Sequence, residues 1–172
     1  GTSMGAVVGG IYSTGATTGE LEKLSTAMDW KEIFTEKIPR DKKFYRRKAD
    51  RGNYLATIRV DAQKGLVIPS GIVSGKKLDL VLRSLTLGAG SDFDAFPVPF
   101  RSVAADIETG DMVVLGKGDL AKCITASMAI PGIFSPVEID GRMLVDGGVS
   151  RNLPIDVARG LGADVVIAVN IS

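Results

Sequence analysis

A chain of 172 residues that is 45% hydrophobic and 24% charged falls in the range of a single globular domain with its own core. Charges nearly cancel at +1 with a pI of about 8.0, so there is no field that argues for nucleic acid as a partner, and the single Cys123 excludes an internal disulfide. The absence of histidine excludes Ser-His-Asp and Cys-His mechanisms and removes the commonest zinc ligand, leaving carboxylates, lysine, tyrosine and one thiol for any chemistry.

Taken in chain order, Met4 to Tyr12 is a run of small and apolar residues that predicts a buried helix whose glycines allow a close neighbour. Thr17 and Glu20 have capping-box spacing, so an amphipathic helix should run to about Met28. Residues 36–51 lack an apolar period and read as a loop or flap. Six of the ten residues from Lys42 to Arg51 are basic, with Phe44 and Tyr45 among them, which suits either a solvated loop or peripheral contact with an anionic membrane surface. Tyr54 to Val60 alternates like an edge strand. Ser74 is placed to cap a helix from Gly75 to about Leu87 that turns Leu78, Val81, Leu82 and Leu85 to one side.

Beyond Pro97 and Pro99 the pattern becomes that of an α/β unit. Strands are expected at Phe100 to Asp106 and Met112 to Leu115, and a helix at Asp119 to Ile130 that Pro131 stops and that buries Cys123 as an inert thiol. A strand at Arg142 to Val145 leads into Asp-Gly-Gly, Pro154 opens a short helix, and Asp164 to Val169 reads as a fully buried strand. Strands alternating with helices imply an α/β fold with a largely parallel central sheet and flanking helices.

Two sets of residues carry chemistry. Gly1, Ser3 and Gly5 form G-x-S-x-G, in which small residues permit a sharp turn that lifts a serine hydroxyl out at the start of a helix; the plainer reading is a helix start capped by Ser3. Without histidine, Ser3 needs a carboxylate as proton acceptor, and Asp106 and Asp146 both stand at the carboxyl ends of predicted strands. Either could instead be a buried structural carboxylate. Gly147 and Gly148 beside Asp146 favour it, because they let a chain or substrate come close. Ser74 and Lys77 satisfy S-x-x-K, but the companion motifs of that chemistry are missing.

GTSMG at Gly1 to Gly5, ASMAIPGIFSPV at Ala126 to Val137 and DGG at Asp146 to Gly148 together resemble the signature set of patatin-like phospholipases, across nearly the whole chain. The resemblance implies a three-layer α/β hydrolase-type architecture and a lipid acyl hydrolase of phospholipase A or esterase type. It further implies a Ser-Asp dyad of Ser3 and Asp146, backbone N–H donors including Met4 for the oxyanion, a lipid or acyl-ester substrate, and no cofactor or metal. The alternative is a catalytically incomplete lipid-binding or regulatory module of the same family. FYRRKAD and VEIDGRMLVDGG resemble the bacterial branch, which implies a cytoplasmic protein or a passenger exported with an outer-membrane barrel. Members of the family also carry a Gly-rich oxyanion loop ahead of the serine, roughly 30 to 40 residues with its helix and strand. Residues 1–172 are therefore expected to be one catalytic domain truncated at its N-terminus.

Overall fold

The computed structural model describes residues 1–30, 33, 59–61, 65–67, 71–73 and 75–170. In chain order the elements are helices α1 (Met4–Ser13) and α2 (Thr18–Ala27), short strands β1 (Arg59–Asp61), β2 (Gly65–Val67) and β3 (Gly71–Val73), and helix α3 (Lys76–Leu85). Strands β4 (Ser102–Asp106) and β5 (Met112–Leu115), helix α4 (Leu120–Ser127), strands β6 (Gly132–Phe134), β7 (Val137–Ile139) and β8 (Arg142–Asp146), and helix α5 (Ile155–Gly160) follow.

Local chemistry explains the helix boundaries. The expected capping box is present at α2, with the Thr17 hydroxyl accepting from Glu20 N–H and the Glu20 carboxylate accepting from Thr17 N–H. Helix α4 starts where the Asp119 side chain accepts from Lys122 N–H, and it ends at Ser127 rather than at Ile130. Helix α3 begins after Gly75, which occupies the cap position at φ 72; Ser74, expected to cap this helix, lies outside the described residues. Glycine fits there because a left-handed backbone costs it nothing. The Arg83 guanidinium then ties α3 to α4 by bonding both Asp79 and Asp119.

The core forms where α1, α3 and α4 meet the sheet. Ala6, Val7 and Ile11 of α1, Leu78 and Leu82 of α3, and Leu120, Ala121 and Ile124 of α4 join Phe93, Phe96, Phe100, Ala104 of β4 and Leu144 of β8 in one buried cluster. A side chain at Gly10 would come within 2.7 Å of Ile124 Cδ1, so this glycine is what lets α1 close on α4, as the Gly-rich run suggested.

The α/β composition agrees with the sequence, but the sheet corrects it. The four-stranded sheet runs β5-β4-β8-β7 with every neighbouring pair antiparallel. Parallel pairing among the described residues is confined to β3 with β6 and to a bridge between Thr2 and Val103. The cause is turn chemistry. Asp140 and Gly141, at φ 51 and 76, make the two-residue reversal between β7 and β8, the strongest short-range hairpin signal there is. The loop 107–111 folds β5 back on β4 in the same way, with Gly110 at φ 77.

A second correction concerns Asp164 to Val169, expected as a buried strand. These residues form no strand; Val165, Ile167 and Val169 are 81%, 88% and 73% exposed. An apolar run becomes a strand only where a neighbour takes its backbone groups. No described strand lies beside this one. The edge strand expected at Tyr54 to Val60 falls mainly outside the described residues, which resume with β1 at Arg59; the basic stretch Lys42 to Arg51 lies outside them altogether. Among the described residues no helix is long and apolar enough to cross a membrane.

Candidate active site

The turn that carries Ser3 is held by β4. Val103 N–H donates to the Gly1 carbonyl at 3.0 Å, and Thr2 forms its bridge with Val103 in the parallel sense. The chain then leaves the strand at Ser3, whose φ of 52 and ψ of −123 lie in a region that side-chain-bearing residues rarely occupy. Such a conformation costs on the order of 1–3 kcal/mol and persists only where its surroundings enforce it. Helix α1 starts at the next residue, with Gly5 N–H bonded to Thr2 O at 2.9 Å and Ala6 N–H to Ser3 O at 2.8 Å. A side chain at Gly1 would run into the backbone of Gly5, which explains the first glycine of the motif. One at Gly5 would meet nothing within 4 Å.

Asp146 arrives on the same edge of β4 from the other direction. Strand β8 is antiparallel to β4 and its last residue, Asp146, pairs with Ala104, next to the Val103 that holds Thr2. The chain turns away here as well, into a short 3₁₀ turn over Gly147–Val149. Gly147 has no room for a side chain, since one would strike the Val103 carbonyl and come within 3.1 Å of Thr2 Cγ2. Gly148 donates its N–H to Asp146 Oδ1 at 2.7 Å and so orients the carboxylate, which is 6% exposed. The two glycines of the Asp-Gly-Gly motif thus have separate roles, one of space and one of hydrogen bonding. The Thr2 hydroxyl reaches Arg151 O at 3.3 Å, closing the turn after Asp146 onto the turn before Ser3.

The structure therefore brings Gly1, Ser3, Met4, Asp146, Gly147 and Gly148 to one place. The Ser3 hydroxyl and the Asp146 carboxylate form no hydrogen bond with each other; the carboxylate accepts from Gly148 N–H. Met4 N–H, at the start of α1, has no acceptor among the described residues, whereas the N–H groups of Ser3, Gly5, Ala6 and Val7 are all bonded. Asp106 is placed elsewhere. It pairs with Leu144, its carboxylate accepts from Glu108 N–H at 2.9 Å, and its carbonyl accepts from Gly110 N–H, so it shapes the β4–β5 turn.

One residue of the site was not singled out in the sequence. Ser127 is fully buried at the end of α4; its hydroxyl accepts from Ser3 N–H at 2.9 Å and donates to the Val103 carbonyl at 2.6 Å. The available signal was a pair of hydroxyls, Thr125 and Ser127, in an otherwise apolar helix end, which burial obliges to find partners. Cys123 is buried against α4's neighbours, and its thiol is pushed up to about 12 by burial first and then by the charges of Asp119 and Asp140. Two open hollows, of about 380 and 500 Å³, lie beside Thr14 and Phe96 and beside Ile11 and Leu85; neither reaches Ser3 or Asp146.

Comparison with known proteins returns one family. The sequence model described as patatin-like phospholipase matches residues 1–159. An uncharacterized NTE family protein of Mycobacterium tuberculosis is 30% identical over 172 residues, which is all of this chain and 40% of the relative. Mouse patatin-like phospholipase domain-containing proteins 7 and 6 are 41% and 40% identical over 76 residues, 43% of this chain and 6% of each relative. The chain thus spans 40% of the length of its mycobacterial relatives and less of the mammalian ones.

Proposed function

The chain belongs to the patatin-like phospholipase family, and from that membership we propose that it cleaves lipid acyl esters with Ser3 as nucleophile and Asp146 as general base. Membership supports lipid hydrolysis in general. The observation that carries the finer reading is the meeting of two chain segments on one edge of β4, where Thr2 and Asp146 end at Val103 and Ala104.

In this reading the Asp146 carboxylate takes the proton of the Ser3 hydroxyl as Oγ attacks the ester carbonyl carbon. The negative charge that develops on the carbonyl oxygen lies near the start of α1, where Met4 N–H and the positive end of the helix dipole stabilise it. Collapse of the tetrahedral intermediate breaks the ester bond, and the proton held by Asp146 goes to the leaving alcohol. Water then gives its proton to Asp146 and attacks the acyl-serine; the fatty acid departs and Ser3 regains its proton. The strained backbone at Ser3 is the kind of feature that nucleophile turns retain, because it holds the hydroxyl clear of the helix it starts.

The test is hydrolysis of a short-chain ester and of a phospholipid vesicle by the wild type, Ser3→Ala and Asp146→Asn. Turnover in the wild type that both substitutions abolish supports the reading. Lipid binding without turnover in any of the three selects the catalytically incomplete module instead.

A further inference from the structure

A serine near a helix end ordinarily turns its hydroxyl back to the carbonyl of the preceding turn. Thr125 does this, bonding Ala121 O at 2.8 Å. Ser127 does not. The carbonyl four residues before it, Cys123 O, accepts instead from Ser102 Oγ of β4 at 3.1 Å, and Ser127 Oγ reaches sideways to Val103 O and Ser3 N–H. Both hydroxyls join α4 to β4, yet only that of Ser127 also holds the Ser3 turn.

The same short stretch holds the other half of the site. Two residues after Ser127, the Ala129 carbonyl accepts from Asp146 N–H at 2.9 Å. The segment from the last residue of α4 to Ala129 just beyond it thus grips the backbone of Ser3 through a side chain and the backbone of Asp146 through a carbonyl.

From this geometry we infer that Ser127 is a positioning residue, whose hydroxyl keeps Ser3 in its unfavourable backbone conformation and fixes the Ser3 hydroxyl relative to Asp146. Ser127 touches no reacting atom. The inference rests on the reading of Ser3 and Asp146 as nucleophile and base. Physically, a residue at φ 52 relaxes once the group anchoring its N–H is removed. A shift of about 1 Å between reacting groups costs on the order of 10²-fold in rate.

The experiment compares Ser127→Ala with Ser102→Ala in the full-length protein. Each removes a fully buried hydroxyl that joins α4 to β4, so both should lower the urea midpoint to a similar extent. Only Ser127→Ala should slow acylation by a fluorophosphonate and lower kcat, by roughly 10- to 100-fold with KM within about twofold, while Ser102→Ala stays within about twofold of wild type in all three. Ser127→Cys, close in size with a weaker donor and acceptor, should give an intermediate acylation rate, and it takes the place of the alanine variant if that fails to fold. Equal kinetic losses in Ser127→Ala and Ser102→Ala, or wild-type acylation in Ser127→Ala or Ser127→Cys, overturn the inference. Ser3→Ala is the separating arm. If it still reacts and turns over, the nucleophile assignment fails and this inference with it; if it is inert while the Ser127 and Ser102 variants match, only the role of Ser127 fails.

Discussion

Thr2 and Asp146 meet β4 at adjacent residues, Val103 and Ala104, one running parallel to the strand and the other antiparallel. Each is the last residue before a turn, so the side chains of Ser3 and Asp146 are delivered to the same edge by backbone hydrogen bonds. Gly147 stands between the two turns, close enough to Thr2 that no side chain fits.

The backbone of Ser3 gives the first prediction. At φ 52 and ψ −123 a serine is strained and a glycine is not. Ser3→Gly should therefore be more stable than Ser3→Ala, by about 1 kcal/mol after the greater unfolded-state freedom of glycine is allowed for. Urea unfolding of the two variants measures this. A glycine variant no more stable than the alanine variant would show that the turn stores no strain.

Asp146→Asn keeps the acceptor that Gly148 N–H uses but cannot take a proton, so turnover should fall by on the order of 10²- to 10⁴-fold. Asp106→Asn likewise keeps its acceptor for Glu108 N–H and should leave turnover within a few-fold, with a stability change of about 1 kcal/mol or less. Steady-state kinetics on folded variants decide between them, and the reverse pattern would move the base to Asp106.

Gly147→Ala should be costly for a reason of space. The added methyl meets the Val103 carbonyl and Thr2, so the two turns must separate, destabilising the fold by about 1–3 kcal/mol. Activity should fall further than in Gly5→Ala, where nothing lies within 4 Å of the new methyl. Thermal unfolding and ester hydrolysis of the pair check this; equal effects would contradict the packing described.

Cys123 should be inert in the native state, because its thiol is held up to about 12 and is buried. Iodoacetamide at pH 8.5 should label it only after unfolding. In the unfolded chain the thiol ionises near 8.5, so the folded state, which keeps it neutral, holds its full advantage below that pH and loses it as pH rises towards 12. The urea midpoint of the wild type should therefore decline more between pH 9 and 11 than that of Cys123→Ala. Parallel declines would show that the thiol titrates alike in both states.

Legibility in the sequence followed the range of the signal. Helix α1 is readable from its run of small and apolar residues, and α2 and α3 from a capping box and from three- and four-residue spacing, all signals of short range; the core face of α3 is the one that spacing marks. Strand β5 was bounded correctly and β4 nearly so. Alternation of helices and strands points to a parallel sheet, but the sense is decided locally by Asp140–Gly141, whose positive φ values close the hairpin between β7 and β8. The run from Asp164 to Val169 looked like a buried strand on composition, but burial depends on a neighbour that composition does not reveal. At the site, G-x-S-x-G and Asp-Gly-Gly marked both turns. Their meeting on β4 and the part of Ser127 are long-range relations, separated by over one hundred residues, that no local pattern encodes.

The most direct measurement is the rate and position of fluorophosphonate modification, followed by peptide mass mapping in the wild type and in Asp146→Asn. The account predicts one adduct per chain on Ser3, forming on the order of 10²-fold or more faster in the wild type than in Asp146→Asn. An adduct on another residue, or modification of Ser3 at the same rate in both proteins, would contradict it.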